Sequence, residues 1–150
     1  AFLGGAIGDH LYKKTHDPRW YMWISSAGIL VAIPFVFLVY LWPTPVPALL
    51  FLIIPTLLGH MYLGPSMAML LGIAGSRRRA MASAIYSFFI NLVAMGLGPL
   101  VVGMISDYLL PRYGNDSLRY SILAVVVIPT FWAAIHFLLA AKTLKEDLGK

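Results

Sequence analysis

Of 150 residues, 60% are hydrophobic and 11% charged, and eleven Lys and Arg against six Asp and Glu leave a formal charge of +5. Soluble domains carry roughly a quarter charged residues, so this chain, with a mean hydropathy of +0.82, has too little charge to clothe a water-facing surface. Without Cys it has no disulfide framework, zinc–thiolate site or cysteine nucleophile.

In chain order, residues 1–8 are apolar and glycine-rich but too short to cross a bilayer, and they read as the end of another span in a longer protein. They run into Gly4-Gly5-Ala6-Ile7-Gly8-Asp9-His10-Leu11-Tyr12-Lys13-Lys14. Gly4 and Gly8 clear one helix face for close approach of a neighbouring backbone. Asp9 falls near the negative end of that helix's dipole and calls for a positive partner. Residues 20–76 then contain no Asp, Glu, Lys or Arg, enough for two spans, divided by Trp42-Pro43-Thr44-Pro45-Val46-Pro47. Alternate prolines break a helix, each lacking a donor and displacing its predecessor from the α region. The pattern predicts spans over 20–42 and 48–73, a basic loop over 75–79, a span over 80–106, a polar loop over 107–119, a span over 120–141 and a charged tail over 142–150. Membrane strands would show segments of about ten residues with alternating polarity, and these runs do not alternate.

Orientation follows from the basic residues. Lys13, Lys14 and Arg19, then Arg77, Arg78 and Arg79, then Lys142, Lys145 and Lys150 all fall on one side. Arg112 and Arg119, on the other, are offset by Asp107 and Asp116. Connecting segments rich in Lys and Arg stay cytoplasmic, which places the C-terminus inside. Topology accounts for the net charge without a nucleic-acid partner.

The stretch from Gly4 to Lys14 resembles the signature loop of the major facilitator superfamily, with Gly5, Asp9, Lys13 and Lys14 in register, departing from it at His10 and Tyr12. Those departures suit the second, more degenerate copy of that loop, between the eighth and ninth helices. Residues 77–107, from Arg77-Arg78-Arg79 through Gly98-Pro99 to Asp107, and the opening Asp17-Pro18-Arg19-Trp20-Tyr21-Met22-Trp23 are similar to the spinster-like group of that superfamily. The resemblance implies an all-α membrane protein forming part of the C-terminal six-helix bundle of a twelve-helix transporter. The four full spans would be its ninth to twelfth helices and the N-terminal half a missing partner. It also implies that Arg77, Arg78 and Arg79 meet an acid of that half in a cytoplasmic latch; a plain topological anchor explains them as well.

Candidate site residues come from interruptions and polar stripes. Pro55, Gly59, Gly64 and Pro65 all break the second span, and such segments are tolerated where backbone is buried in protein or lines a cavity. His60 is the one ionisable group near the centre of a full span, which makes it a functional candidate, with Tyr62 and Ser66 on the adjacent face. A neutral His60 bonded to Thr or backbone between packed helices is an equal reading. Ser83, Ser87, Asn91, Ala94 and Gly98 share a face of the third full span, a packing surface in which Asn91 is also a cavity-lining donor. Gly98 and Pro99 would let that helix bend. His136 reads as an interfacial packing residue.

The function expected is transport of a small or amphipathic, lipid-like solute by alternating access, in a plasma or inner membrane. Every acid lies outside the full spans, so His60 is the mid-depth candidate for carrying a proton. Nothing in the pattern asks for a cofactor or a metal. An intramembrane enzyme is the lesser alternative, since His60 has no acidic companion in its layer and His10 with His16 lacks further ligands. A small four-helix membrane subunit is the other.

Overall fold

The computed structural model describes residues 2–148, apart from the side chains of Lys145 and Leu148. Of the residues used above, Ala1, Lys150 and the Lys145 side chain therefore lie outside the described residues. Six α-helices follow one another with no strand among the described residues: α1 Phe2–Thr15, α2 Arg19–Leu41, α3 Pro45–Gly59, α4 Leu63–Ile90, α5 Gly98–Tyr113 and α6 Ser117–Leu148. A π-helical stretch, Asn91–Leu97, joins α4 to α5, and a 3₁₀ turn, Gly114–Asp116, joins α5 to α6.

The start of α2 is written in Asp-Pro-Arg. The Asp17 carboxylate accepts the backbone N–H of Arg19 at 3.0 Å and pairs with its guanidinium at 3.0 Å, satisfying a donor that the first turn of a helix leaves open. The guanidinium also lies 5.5 Å from the Trp23 ring centre. At 23 residues and about 1.5 Å per residue, α2 is long enough to cross the hydrocarbon of a bilayer, about 30 Å thick.

α3 begins earlier than the prolines suggested, at Pro45 rather than residue 48. The first helical turn has no use for the missing proline donor, so Pro45 and Pro47 initiate the helix instead of delaying it. It is too short to span alone and stops at Gly59. After His60, Met61 and Tyr62 the chain resumes as α4, so the expected 48–73 span is two helices and not one. Gly28 of α2 faces the carbonyl of Leu58, and Met69 packs with Met22, Ala141 and Leu144. The second piece thus continues antiparallel to α2 across the break.

The basic loop expected over 75–79 contracts to one residue. Gly75 takes φ 68° and ψ 168°, splitting α4 into arms over 63–74 and 76–90, and Arg77, Arg78 and Arg79 are helical and exposed. Arg is a good helix former, and one glycine in a conformation closed to other residues makes the bend. The polar loop expected over 107–119 shrinks likewise to Gly114–Asp116, with Asp107 and Arg112 in the last turns of α5 and Arg119 in the first of α6. The 142–148 part of the tail prolongs α6.

α2 is the centre of the assembly, packed against α1, α3 and α6. Its contact faces carry small residues, with Ser25, Ser26, Gly28 and Ala32 buried. Small side chains let helices approach where lipid offers no hydrophobic drive to associate. Ser26 Oγ donates to the Ala134 carbonyl of α6 at 3.1 Å, and Met22 packs with Ala141 and Leu144, so the two helices run antiparallel. Ser106 and Ser117 Oγ, 3.2 Å apart, tie α5 to α6 at the opposite end.

Candidate functional site

The break after α3 opens a groove between α2, α3 and α6 with a volume of about 470 Å³, a size at which small-molecule sites commonly occur. His60 lies at this break. Its Nδ1 is 2.7 Å from the carbonyl of Thr56. A carbonyl only accepts, so Nδ1 carries the hydrogen and donates, and in the neutral ring Nε2 keeps its lone pair. Thr56 Oγ1 donates in turn to the Leu52 carbonyl at 2.7 Å. His60 thus satisfies a carbonyl of the last turn of α3, where backbone donors run out, whereas Thr56 adds a second bond to a carbonyl inside the helix.

Tyr62 lines the same groove, its ring 5.9 Å from that of Phe137 in α6. Further along, the walls are aliphatic, with Val36 and Val39 from α2, Leu52 from α3 and Val126 from α6. Pro55 and Pro129 face each other's helices across it. Each removes a backbone donor and leaves a carbonyl, that of Phe51 or Val125, without its helical partner. No Asp, Glu, Lys or Arg lines the groove.

The structure therefore brings His60 and Tyr62 together and adds Thr56, Thr130 and Phe137. It does not bring Ser66 or Asn91 to them. Ser66 lies beside a neighbouring cleft with Met22, Met69 and His136, its Oγ buried without a hydrogen-bond partner. Asn91 is exposed at the start of the π-helical stretch, where its Nδ2 donates to the Ser87 carbonyl of its own helix at 2.8 Å. Periodicity assigned each a helix face but not the neighbour opposite. The α6 residues were not among those expected, although Pro129-Thr130 interrupts its apolar run as Pro55-Thr56 interrupts the second span.

Among the residues expected to bend helices, Gly59 ends α3, Gly64 and Pro65 lie in the first turn of α4, and Pro55 sits inside an unbroken α3. Gly98 and Pro99 begin α5, where the backbone N–H of Gly98 bonds the Val93 carbonyl. The absent donor of Pro99 and the wider i−5 bonding just before it together make the junction.

In the signature region, Gly4 abuts the Met61 carbonyl and Gly8 the Tyr21 ring, whereas Gly5 faces open space. Asp9 accepts a hydrogen bond from Tyr21 Oη at 2.6 Å, a partner within this chain. Lys13 and Lys14 occupy the exposed last turn of α1.

Apolar helices of spanning length, joined by short turns and opened at one break, define an all-α membrane protein. Over 144 residues, 96% of its length, the chain is 34% identical to a protein of Mycolicibacterium smegmatis (strain ATCC 700084 / mc(2)155) described as an MFS-type efflux pump. It spans about a third of that relative's length, 33%. No family model and no solved structure matches the chain.

Proposed function

We propose that the chain is one flank of a secondary transporter of the major facilitator superfamily, corresponding to part of the C-terminal six-helix bundle. It would move a small or amphipathic solute by alternating access of two bundles. The observation that carries this reading is the interrupted membrane helix: α3 ends at Gly59 beside a groove whose one strongly polar group at mid-depth is His60. Spanning helices that merely anchor a protein have no reason to break there, and broken segments line binding sites in transporters. The likeness to an efflux pump supports the same class. Similarity of residues 17–23 and 77–107 to the spinster-like group favours a lipid-like solute. The protein would lie in a plasma or inner membrane with its C-terminus cytoplasmic. Arg77, Arg78 and Arg79 would anchor that topology or meet an acid of the other half.

The full-length protein reconstituted in liposomes tests this. Imposing a proton gradient should drive flux of a fluorescent amphipathic solute, and His60→Ala should lower that flux or shift its pH profile. Absence of gradient-driven flux would leave a membrane subunit with no transport of its own.

A further inference from the structure

The Gly75 bend holds the two arms of α4, over 63–74 and 76–90, apart, and a cleft of about 690 Å³ opens between them. It shares no lining residue with the groove at His60. Leu70 lines it from the first arm, and Ala82, Ile85, Tyr86, Phe89 and Val93 line it from the second arm and the π-helical stretch. Ile85, Phe89 and Val93 are each more than half exposed, left open by the described residues. At 1.5 Å per residue, the stripe from Ala82 to Val93 is roughly 16 Å deep. That is about half of the ~30 Å hydrocarbon core, the depth of one leaflet.

Arg78 stands at the head of the same stripe. From it to Ala82, Ile85, Phe89 and Val93 the steps are four, three, four and four residues, which keep to one helix face. Arg79 leads to Tyr86 in the same way, about two turns on. Long arginine side chains lie along apolar surface and carry their charge to the water boundary. Both are exposed, and neither they nor Arg77 forms an ion pair among the described residues. Their helix arm begins there, so the positive end of its dipole adds to the unbalanced charge. No Asp or Glu lines the cleft.

We propose that this cleft holds an anionic diacyl phospholipid of the leaflet that the bend faces. Its phosphate pairs with Arg78 and Arg79, whose planar forks each meet two phosphate oxygens at once. One acyl chain lies along Ile85, Phe89 and Val93, against Leu70. An apolar helix would cover the stripe and leave the cations unmatched, whereas a soluble anion would match the cations and leave the stripe bare. An anionic lipid does both. The inference rests on the chain's place in a membrane and not on transport.

Native mass spectrometry of the delipidated full-length protein in detergent tests it, with dioleoyl phosphatidylglycerol, dioleoyl phosphatidylcholine or glycerol 3-phosphate as the added ligand. The first phosphatidylglycerol should be held at least about tenfold more tightly than phosphatidylcholine, a difference of roughly 1.4 kcal/mol, and glycerol 3-phosphate should not be retained. Arg78→Gln combined with Arg79→Gln should lower the phosphatidylglycerol affinity about tenfold and leave that for phosphatidylcholine unchanged. Lysine at both positions should recover part of the loss. Should the glutamine pair fail to insert, Ala82→Trp takes its place, because it fills the head of the cleft and keeps the arginines; it should weaken binding of both lipids. A phosphatidylglycerol with a diazirine on one acyl chain should crosslink to residues 82–94 on irradiation. Equal affinity for the two lipids, no retained lipid, glycerol 3-phosphate held as tightly as phosphatidylglycerol, or crosslinks only elsewhere would each overturn the proposal. The first two are what an acid of the N-terminal half on the arginines, or another helix in the cleft, would produce. Solute flux plays no part in the readout, so this site and the transporter reading stand or fall separately.

Discussion

Two adjacent glycines in α1 have opposite duties. A Cβ at Gly4 would overlap the Met61 carbonyl, while one at Gly5 would meet nothing within 4 Å. Gly4→Ala must therefore push α1 away from the break that carries His60, and overpacking of this kind costs about 1–3 kcal/mol. Gly5→Ala removes a poor helix former from an open face and should stay within about 0.5 kcal/mol of the parent. Thermal midpoints of the two variants in detergent compare them directly, and equal midpoints would mean that α1 does not dock on Met61. Ser26 offers a milder case. Its hydroxyl bonds the Ala134 carbonyl in a buried contact, and such bonds between membrane helices average about 0.6 kcal/mol. Ser26→Ala should thus lower the midpoint measurably but less than Gly4→Ala.

Among the elements, α4 depends most on one backbone conformation. At φ 68° and ψ 168° Gly75 occupies a region closed to residues with a Cβ, where strain amounts to about 1–3 kcal/mol. Gly75→Ala favours a straight helix through 63–90 over the bent one. It should keep helical content by circular dichroism yet lower thermal stability, and an unchanged midpoint would show that the bend is not required. The bend also shows where sequence reasoning stopped. Charge-free runs coincide with helices, because lipid leaves a backbone few other ways to satisfy its hydrogen bonds. The joints were harder to read. The arginines at 77–79 lie just past the Gly75 bend, but charge does not say that a single glycine turns the chain and that the arginines themselves are helical. At the site, His60 was conspicuous because no other ionisable group shares its depth, whereas Ser66 and Asn91 were polar residues on plausible faces that tertiary packing turned elsewhere.

For the whole molecule the deciding feature is its apolar exterior. The outer arm of α4 and the π-helical stretch leave Phe88 61% and Met95 75% exposed, a surface that water would not tolerate and that lipid or further helices would cover. The helix directions then fix which turns share a side. Ser26 meets Ala134 while Met22, earlier in α2, meets Ala141 and Leu144, later in α6, so the two helices are antiparallel and Thr44 after α2 and Asn115 before α6 come to the same end. Contact of Met69 with Met22 and Leu144 carries the first arm of α4 towards the opposite end, where Ser76 follows the Gly75 bend. Thr44, Ser76 and Asn115 are all exposed and this chain has no Cys, so single cysteines at these positions report cleanly once any Cys elsewhere in the full-length protein has been replaced. If the basic segments face the cytoplasm, a thiol reagent that cannot cross membranes should label Thr44→Cys and Asn115→Cys in intact cells. It should reach Ser76→Cys only after permeabilisation. The inverse pattern would overturn the orientation while keeping the fold, and labelling of Thr44→Cys and Asn115→Cys from opposite sides would break the antiparallel arrangement on which the groove itself depends.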